Sequence, residues 1–291
     1  MTIATNPVRT WFITGATSGF GLALAQAVLA RGEQAVLTGR RADRLAVLAA
    51  DHGDHALPIA LDVTDAAARE AAVAQALQQF GRIDVLANIA GRGSLGAVEE
   101  FAPEQLREQM DLNFFAAAEL TRAVLPTMRA QGSGHILNLT SIGGLVSMGG
   151  FGPYCAAKFA LEGWSEALRD EVAPLGIRVT IVEPGAFRTE FAGDINMRPA
   201  HPMDIYRPVI APVEDYLYGS AGTQMGDPVK AAALMIEAVE SDTPPLRLMM
   251  GADAFGIWEQ VLAARQADLA NWHERGIATA FEDADMTPIG G

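Results

Sequence analysis

The sequence predicts an α/β fold in which a parallel β-sheet is covered by helices on both faces. Two observations indicate this fold. Short apolar runs alternate along the chain with longer amphipathic stretches, and strands separated by helices usually pair in parallel. The apolar runs are also continuous rather than alternating, as expected where both faces of a sheet are buried. Because we find no internal repeat and no long linker, we expect a single domain over 1–291.

The predicted strands and helices follow one another in order, and local signals support each assignment. A Trp-Phe-Ile-Thr run before a glycine-rich turn is typical of a strand, and Pro103 suits the first turn of a helix, where its missing N–H is not needed. The predicted strands lie at 11–14, 35–38, 56–61, 83–87, 135–140, 178–182 and 246–250. The predicted helices lie at 19–31, from about 43 onward, and at 65–80, 103–129, 153–173, 228–240 and 252–270.

One segment interrupts this regular order. Residues 186–226 contain several prolines and glycines and show no clear period. Loops of this length inside a compact domain are usually functional, so we expect a lid over a substrate pocket, with a plain surface excursion as the alternative. Its aromatic residues are Phe187, Phe191, Tyr206, Tyr216 and Tyr218. A C-terminal helix and tail are expected over 252–291.

The composition excludes several functional classes. The formal net charge is −14, the pI is near 4.7, and Lys and Arg form no run, so neither a nucleic acid nor an anionic membrane surface is expected as a partner. No apolar run reaches the roughly 18 residues of a membrane span, and residues 1–9 lack the features of a secretory signal. The single cysteine, Cys155, excludes an internal disulfide, and the histidines show no metal-ligand spacing, so no metal is expected. Together these features favour the cytoplasm.

A glycine-rich stretch follows the first predicted strand in the pattern Gly-x-x-x-Gly-x-Gly. Glycine lets the backbone turn sharply and lets a pyrophosphate approach, and the free N–H groups at the start of the next helix stabilise its charge. The loop therefore predicts a dinucleotide site, with a purely structural turn as the alternative. The residues expected at this cofactor are Gly15, Thr17, Ser18, Gly19, Phe20 and Gly21.

Two arginines, Arg40 and Arg41, follow the second predicted strand. An NAD(H) site usually has Asp or Glu here, which accepts from the ribose 2′-hydroxyl, whereas a guanidinium suits a 2′-phosphate. The pair predicts a preference for NADP(H), with NAD(H) as the alternative cofactor. The alternative without a function is that both arginines are solvated charges at the start of a helix. Asp62 and Val63, after the third strand, are expected to border the adenine, and Asp62 is equally explained as a helix cap.

Tyr154 and Lys158 lie four residues apart near the start of a predicted helix, so their side chains share one face. A free phenol has a pKa of about 10, and a nearby ammonium is expected to lower the Tyr154 pKa by favouring the phenolate. Such a phenol exchanges a proton with a carbonyl or alcohol oxygen. The chain otherwise uses arginine for its cations, with Lys230 as the second lysine, which makes Lys158 notable. A helix-surface pair is the alternative.

These motifs resemble those of the short-chain dehydrogenase/reductase family over about residues 10–189. Residues 14–21 match the family's TGxxxGxG, and residues 154–158 match its YxxxK. Residues 88–91 resemble its NNAG, with Ile89 in place of the second Asn. The resemblance implies a Rossmann-type doubly wound parallel sheet of seven strands in the order 3-2-1-4-5-6-7. It also implies a homodimer or homotetramer, formed through the helix that carries the Tyr and Lys.

The resemblance assigns roles to further residues. Ser141 precedes Tyr154 by the interval that the family keeps for the serine that orients the substrate carbonyl. Asn113 lies where the family has an Asn that supports a proton relay through Lys158. The residues that it places at the cofactor are Asn88, Ala90, Gly91, Tyr154, Lys158, Pro184, Gly185, Phe187 and Thr189. Each of these residues alone also fits a structural role, but the whole set occurs in the family's order.

The predicted function is that of an NADP(H)-dependent oxidoreductase that interconverts a ketone and a secondary alcohol. The predicted catalytic residues are Asn113, Ser141, Tyr154 and Lys158. A fairly apolar small-molecule substrate is favoured by nearby apolar residues, namely Leu145, Val146, Met148, Phe151, Phe187, Met197 and Met203. One alternative, a 3-oxoacyl-carrier-protein reductase, is disfavoured because an acidic carrier protein would be repelled by a charge of −14. The other alternative is a non-catalytic dinucleotide-binding redox sensor. It is disfavoured because such a protein has no need of the four predicted catalytic residues, and this chain keeps all four.

Overall fold

The computed structural model of the chain describes residues 8–193 and 195–281. Seven parallel strands form one sheet in the order β3-β2-β1-β4-β5-β6-β7, which confirms the predicted fold class. The strands are β1 (Thr10–Ile13), β2 (Gln34–Gly39), β3 (Ala56–Ala60), β4 (Val85–Asn88), β5 (Gly134–Leu139), β6 (Ile177–Pro184) and β7 (Arg247–Met250). Because the strand order reverses between β1 and β4, a crevice opens there outside the carboxyl ends of the strands.

Helices cover both faces of the sheet. They are α1 (Gly19–Ala30), α2 (Ala42–Ala49), α3 (Ala66–Phe80), α4 (Pro103–Met110), α5 (Ala116–Gln131), α6 (Gly152–Val172), α7 (Arg207–Gly219), α8 (Pro228–Glu240) and α9 (Ala252–Ile277). Successive side chains of β1 enter opposite cores. Trp11 and Ile13 pack with α1 and α8, whereas Phe12 packs with α3, α5 and α6. This burial of both faces explains why the strands are continuously apolar.

The helix predicted over 103–129 is interrupted. Between α4 and α5, residues Asp111–Phe115 form a π-helical turn, and Asn113 lies within it. One continuous helix was predicted here, and this turn was not located. π-turns inside α-helices often occur at functional sites.

The predicted lid segment contains a helix that the periodicity did not indicate. Helix α7 begins with Pro208 in its first turn and has Pro212 in its interior. An interior proline removes a backbone hydrogen bond and usually ends a helix, so the sequence argued against one here. The C-terminal helix α9 extends to Ile277, beyond the predicted end at 270, and the predicted tail after Phe281 lies outside the described residues.

Within the described ranges, no helix is both long enough and apolar enough to cross a membrane.

Candidate active site

The glycine-rich loop leaves β1 in a conformation that requires glycine at two positions. Gly15 has a φ of +70°, in the left-handed region, and a Cβ atom on Gly21 would lie 2.3 Å from the Gly15 carbonyl oxygen. Thr14 joins this loop to the end of β4, because its Oγ1 accepts hydrogen bonds from the backbone N–H groups of Ile89 and Ala90 at 2.8 and 3.0 Å. The tight turn leaves the N-terminus of α1 facing the crevice.

A cleft of about 270 Å³ runs along the carboxyl ends of the strands. The predicted site residues that line it are Gly15, Ser18, Gly19, Phe20, Ala90, Gly91, Asn113, Ser141, Tyr154, Lys158, Pro184, Gly185, Phe187 and Thr189. The predicted site residues that lie outside its walls are Thr17, Gly21, Arg40, Arg41, Asp62, Val63 and Asn88. The cleft therefore brings together all four predicted catalytic residues and one part of the predicted cofactor set.

The residues outside the cleft walls have structural contacts of their own. Asn88 is buried and donates to Asn138 Oδ1 at 2.9 Å, which ties β4 to β5 inside the sheet. Asp62 accepts from the backbone and hydroxyl of Thr64 at 2.9 and 2.7 Å, in the turn before α3. Val63 is buried, and Arg40 is exposed. Asn88 thus supports the sheet, and Asp62 organises a turn.

Tyr154 and Lys158 share one face of α6, as predicted, and both are buried. The Tyr154 backbone N–H donates to Ser94 Oγ at 3.2 Å, which fixes the start of the helix. Lys158 Nζ donates to the Leu139 carbonyl at 2.8 Å and lies 5.8 Å from the centroid of the tyrosine ring. Ser141 Oγ accepts from Gly143 N–H at 3.0 Å in the turn after β5. Two elements thus hold the three side chains at one wall of the cleft.

The pKa of Tyr154 differs from the prediction in its direction. Burial raises the pKa of Tyr154 above its ordinary value, and a hydrogen bond with Ser141 acts in the lowering direction. Burial lowers the pKa of Lys158 to about 8, opposed by the Glu162 carboxylate. Burial is the largest effect on the phenol, so the pKa of Tyr154 is raised although the Lys158 Nζ lies 5.8 Å from the centroid of its ring. Tyr154 is therefore a neutral phenol at neutral pH, which is the form a proton donor needs.

Asn113 is held in the π-turn by hydrogen bonds on both sides. Its Nδ2 donates to Gln109 Oε1 at 2.7 Å and to the Arg92 carbonyl at 3.0 Å, and its Oδ1 accepts from Arg92 N–H at 3.3 Å. A Cβ on Gly91 would lie 2.6 Å from Asn113 Oδ1 and 3.5 Å from Lys158 Nζ. The turn after β4 therefore passes directly against both side chains, and only glycine fits at position 91.

The loop after β6 closes one end of the cleft. The Asp253 carboxylate, in the first turn of α9, accepts from Ala186 N–H at 2.7 Å, and a Cβ on Gly185 would lie 2.4 Å from that carboxylate. The ring of Phe187 lies 5.0 Å from that of Phe20, between centroids, which brings the loop onto the start of α1. No sequence pattern singles out Asp253, because an acid in the first turn of a helix is common.

The lid segment forms the opposite wall. The ring of Phe191 lies 5.4 Å from the Tyr154 ring, between centroids. Phe191 and Tyr216, which the sequence analysis named only as aromatic residues of the lid, also line the cleft. The other lid residues in this wall, none of which the sequence analysis assigned to the site, are Glu190, Ala192, Ile195, Leu217, Ser220 and Gln224. Of the seven apolar residues predicted near the substrate, Met148, Phe151 and Phe187 line the cleft. Leu145 and Val146 instead pack beneath α9.

A cluster of charged residues lies beside the glycine-rich loop. Arg41 donates to Thr17 Oγ1 from Nε and Nη2 at 3.1 and 2.9 Å. Its Nη1 and that of Arg44 each donate to the carboxylate of Glu190, at 3.2 and 3.1 Å. Arg44 was not predicted as a site residue. Its spacing from Arg41, about one helical turn, is a sequence signal that the two side chains share one face.

In the part of the chain that the structure describes, no three His, Cys, Asp or Glu side chains are grouped as a metal site requires.

Comparison with known proteins gives consistent matches. The sequence profile described as short chain dehydrogenase matches residues 9–200. An oxidoreductase of Botryotinia fuckeliana is 35% identical over 273 residues, which cover 94% of this chain and 99% of that protein. A 3-ketodihydrosphingosine reductase of Bacteroides thetaiotaomicron is 40% identical over 185 residues, which cover 64% of this chain and 66% of that protein. The crystal structure of a short-chain dehydrogenase from Streptomyces avermitilis is 42% identical, with a TM-score of 0.88, and covers 94% of this chain and 100% of that one.

Proposed function

Since the chain belongs to the short-chain dehydrogenase family of oxidoreductases, we propose that it uses NADP(H) to interconvert a ketone and a secondary alcohol. One observation carries this proposal: Tyr154, a buried neutral phenol, lies with Ser141 and Lys158 at one cleft wall. That set supplies a proton donor, a hydrogen-bond partner and a cation beside one reacting oxygen.

The residues present fit a dinucleotide. The glycines let the chain pack closely around the cleft, because a Cβ on Gly21 would collide with the Gly15 carbonyl and one on Gly91 with Asn113. The cleft itself runs past Gly15, Ser18, Gly19 and Gly91. The N-terminus of α1 and the loop from Gly15 to Gly21 would hold the diphosphate. Pro184, Gly185, Phe187 and Thr189 would hold the other end. When bound, the dinucleotide supplies or accepts the hydride.

The chain's own residues then handle the oxygen and the proton. Ser141 and Tyr154 bind the carbonyl oxygen and orient the carbon toward the hydride. As negative charge develops on that oxygen, Tyr154 gives it the phenolic proton, and the electron pair of the broken O–H bond stays on the phenol oxygen. With a pKa of about 8, Lys158 is largely protonated at pH 7, so its charge stabilises the phenolate and holds the ribose. Asn113 supports the return of the proton through Lys158.

The preference for NADP(H) is supported by the charges beyond β2. Arg40, Arg41 and Arg44 follow this strand, and the position where an NAD(H) site has an acid is basic here. Guanidinium groups donate several hydrogen bonds in one plane and suit a 2′-phosphate.

The substrate is proposed to be a fairly apolar ketone or alcohol. The cleft is lined by several apolar side chains, among them Met148, Phe151, Phe191 and Ile257. The relative from Bacteroides thetaiotaomicron is named as a reductase of a keto compound, which favours the reductive direction. We further propose a homodimer or homotetramer in the cytoplasm, acting on a small molecule without a nucleic acid or membrane partner.

A panel of ketones and alcohols tests the proposal. The purified protein is mixed with NADPH or NADH, and cofactor oxidation is followed by absorbance. We expect turnover of apolar ketones, faster with NADPH, and its loss in Tyr154→Phe. Tight NADPH binding without turnover on any member of the panel would instead support the redox-sensor alternative.

A further inference from the structure

Glu190, at the start of the lid, bridges two arginines. Its Oε2 and Oε1 accept from Arg41 Nη1 at 3.2 Å and from Arg44 Nη1 at 3.1 Å. Partial burial acts to raise the pKa of Glu190, but the hydrogen bonds from Arg44 and Arg41 lower that pKa below its ordinary value. The carboxylate is therefore ionised at neutral pH, and each of its oxygens binds one guanidinium.

The bridge spans the cofactor side of the cleft. Arg41 also donates twice to Thr17 Oγ1, and Arg44 donates to the Thr17 carbonyl at 3.4 Å, so both guanidiniums lie against the glycine-rich loop. On the lid side, the Thr189 methyl lies 3.3 Å from the position of a Cβ on Gly19. Glu190 thus reaches from the lid, across the loop, to the arginines that follow β2.

The charges favour an anion at this place. Two neighbouring guanidiniums repel one another, and within residues 8–193 and 195–281 Glu190 is the one carboxylate that pairs with either of them. The side-chain exposures are 37% for Arg41, 49% for Arg44 and 45% for Glu190, so solvent and ligands reach the bridge. An ion pair this exposed is weak and can be exchanged for a stronger anion.

We infer that Glu190 occupies the place of the cofactor's 2′-phosphate at Arg41 and Arg44, and that this phosphate displaces it on binding. The inference rests on the proposed NADP(H) function. A phosphate monoester carries more negative charge than a carboxylate and has three oxygens to accept bonds from guanidinium groups. Glu190 is then a specificity-determining residue, because it competes with NADP(H) and leaves NAD(H), which lacks the 2′-phosphate, unaffected. The exchange also releases the first turn of the lid from the arginines when NADP(H) arrives.

Binding constants of the full-length protein test this inference. Titrations measure the Kd of NADPH, NADH, adenosine 2′,5′-bisphosphate and ADP for the wild type and for Glu190→Gln, which keeps the shape of the side chain but removes its charge. We expect Glu190→Gln to bind NADPH and the bisphosphate about 3- to 10-fold more tightly, the range for the loss of two exposed ion pairs. The Kd values of NADH and ADP should change less than about twofold.

Glu214→Gln is the matched control. Glu214 also lies on the lid and also bridges two arginines, Arg198 and Arg207, at 2.9 Å each, but outside the cleft. Its loss should leave all four Kd values unchanged. Thermal unfolding of each variant shows whether a change in Kd reflects folding instead.

Two kinds of failure are distinguishable. If the wild type prefers NADPH but Glu190→Gln leaves the NADPH-to-NADH ratio unchanged, or weakens NADPH binding, then Glu190 does not compete with the phosphate and the inference is wrong. If the wild type binds NADH as tightly as NADPH, and the bisphosphate as weakly as ADP, then the proposed cofactor preference is wrong, and the inference is overturned with it.

Discussion

The two walls of the cleft are held by different kinds of contact. On the wall that carries Tyr154, called the catalytic wall after the function we propose for it, the buried side chains of Lys158 and Asn113 donate to backbone carbonyls, and the start of the helix is bonded to Ser94. On the lid wall, half-exposed ion pairs such as that of Glu190 hold the segment in place. Buried bonds are costly to break, whereas exposed ion pairs exchange easily. We therefore expect substitutions in the catalytic wall to change the chemical step and substitutions in the lid to change binding.

The largest effect is expected from Tyr154→Phe, which removes the proposed proton donor and leaves the ring in place. The value of kcat should fall about a hundred- to ten-thousandfold, the range for the loss of a general acid. The Kd of the cofactor should change by no more than about twofold, because a hydroxyl and no packing is lost. Steady-state kinetics and cofactor titration measure the two quantities. A kcat close to that of the wild type would show that another group gives the proton.

The next largest effect is expected from Gly21→Ala. The new Cβ would lie 2.3 Å from the Gly15 carbonyl oxygen, a backbone atom, so the glycine-rich loop must move. The Kd of the cofactor should rise about tenfold or more, because the loop holds the pyrophosphate by close approach. Gly163→Ala is the matched control, since Gly163 lies in α6 with nothing within 4 Å of a Cβ there. It should leave the Kd unchanged and stabilise the helix by about 0.5–1 kcal/mol. Equal Kd values for both variants would contradict this account of the loop.

A pH effect is expected from a buried cluster behind the catalytic wall. Burial, with repulsion from Glu162, raises the pKa of Glu183 to about 7, and Arg247 acts in the lowering direction. In the unfolded chain a glutamate has its ordinary pKa of about 4.5. Glu183 therefore binds more protons in the folded protein between these two values, and its contribution to the free energy of unfolding should fall as the pH rises through this window. Buried His135 acts in the opposite sense, because burial lowers its pKa to about 4, so the Glu183 contribution is the difference between the wild type and Glu183→Gln.

The size of this fall should be about 2 kcal/mol, because one unit of pKa shift corresponds to about 1.4 kcal/mol and coupling to Glu162 shares the proton. Urea unfolding at several pH values measures it. The unfolding free energy of the wild type minus that of Glu183→Gln should fall by this amount from pH 5 to pH 7, whereas the same difference taken with Glu166→Gln, at the half-exposed edge of the same cluster, should stay constant. A wild-type minus Glu183→Gln difference that rises over this range would contradict the assigned pKa direction.

The smallest effect is expected from Phe191→Ala in the lid. The ring packs 5.4 Å from the Tyr154 ring, and such aromatic pairs contribute about 0.5–1.5 kcal/mol. KM for an apolar substrate should rise about 3- to 10-fold with kcat changed less than about threefold. Ile205→Ala, at a lid side chain that is 75% exposed, should change neither. If Phe191→Ala lowered kcat as strongly as Tyr154→Phe, the lid wall would also act in the chemical step, which would contradict the difference that we expect between the two walls.

The sequence allowed the sheet and the catalytic wall to be predicted because their signals are local. Continuous apolar runs reveal strands such as β1, and the interval from Tyr154 to Lys158 is one turn of a single helix. Even there, the predicted direction of the Tyr154 pKa shift was wrong, because the pKa is raised and not lowered. Burial depends on the whole fold, and the spacing of two residues does not reveal it.

The rest of the site depends on contacts between distant segments. Glu190 accepts a hydrogen bond from Arg41, and Asp253 accepts one from the Ala186 N–H. No sequence pattern predicts either contact. Helix α7 was missed because Pro212 opposes the usual helical signal and the segment shows no clear period. The π-turn at Asn113 was missed because 103–129 was assigned as one continuous helix.

The bond from Ala186 to Asp253 has a consequence for the order in which the protein is made. The loop after β6 receives this support from α9, so α9 must be translated before the bond can form. The glycine-rich loop precedes α9 in the chain and is therefore synthesised earlier. A nascent chain thus has one end of its cleft before the other. We conclude that the cleft is completed only after α9 has been synthesised and has docked.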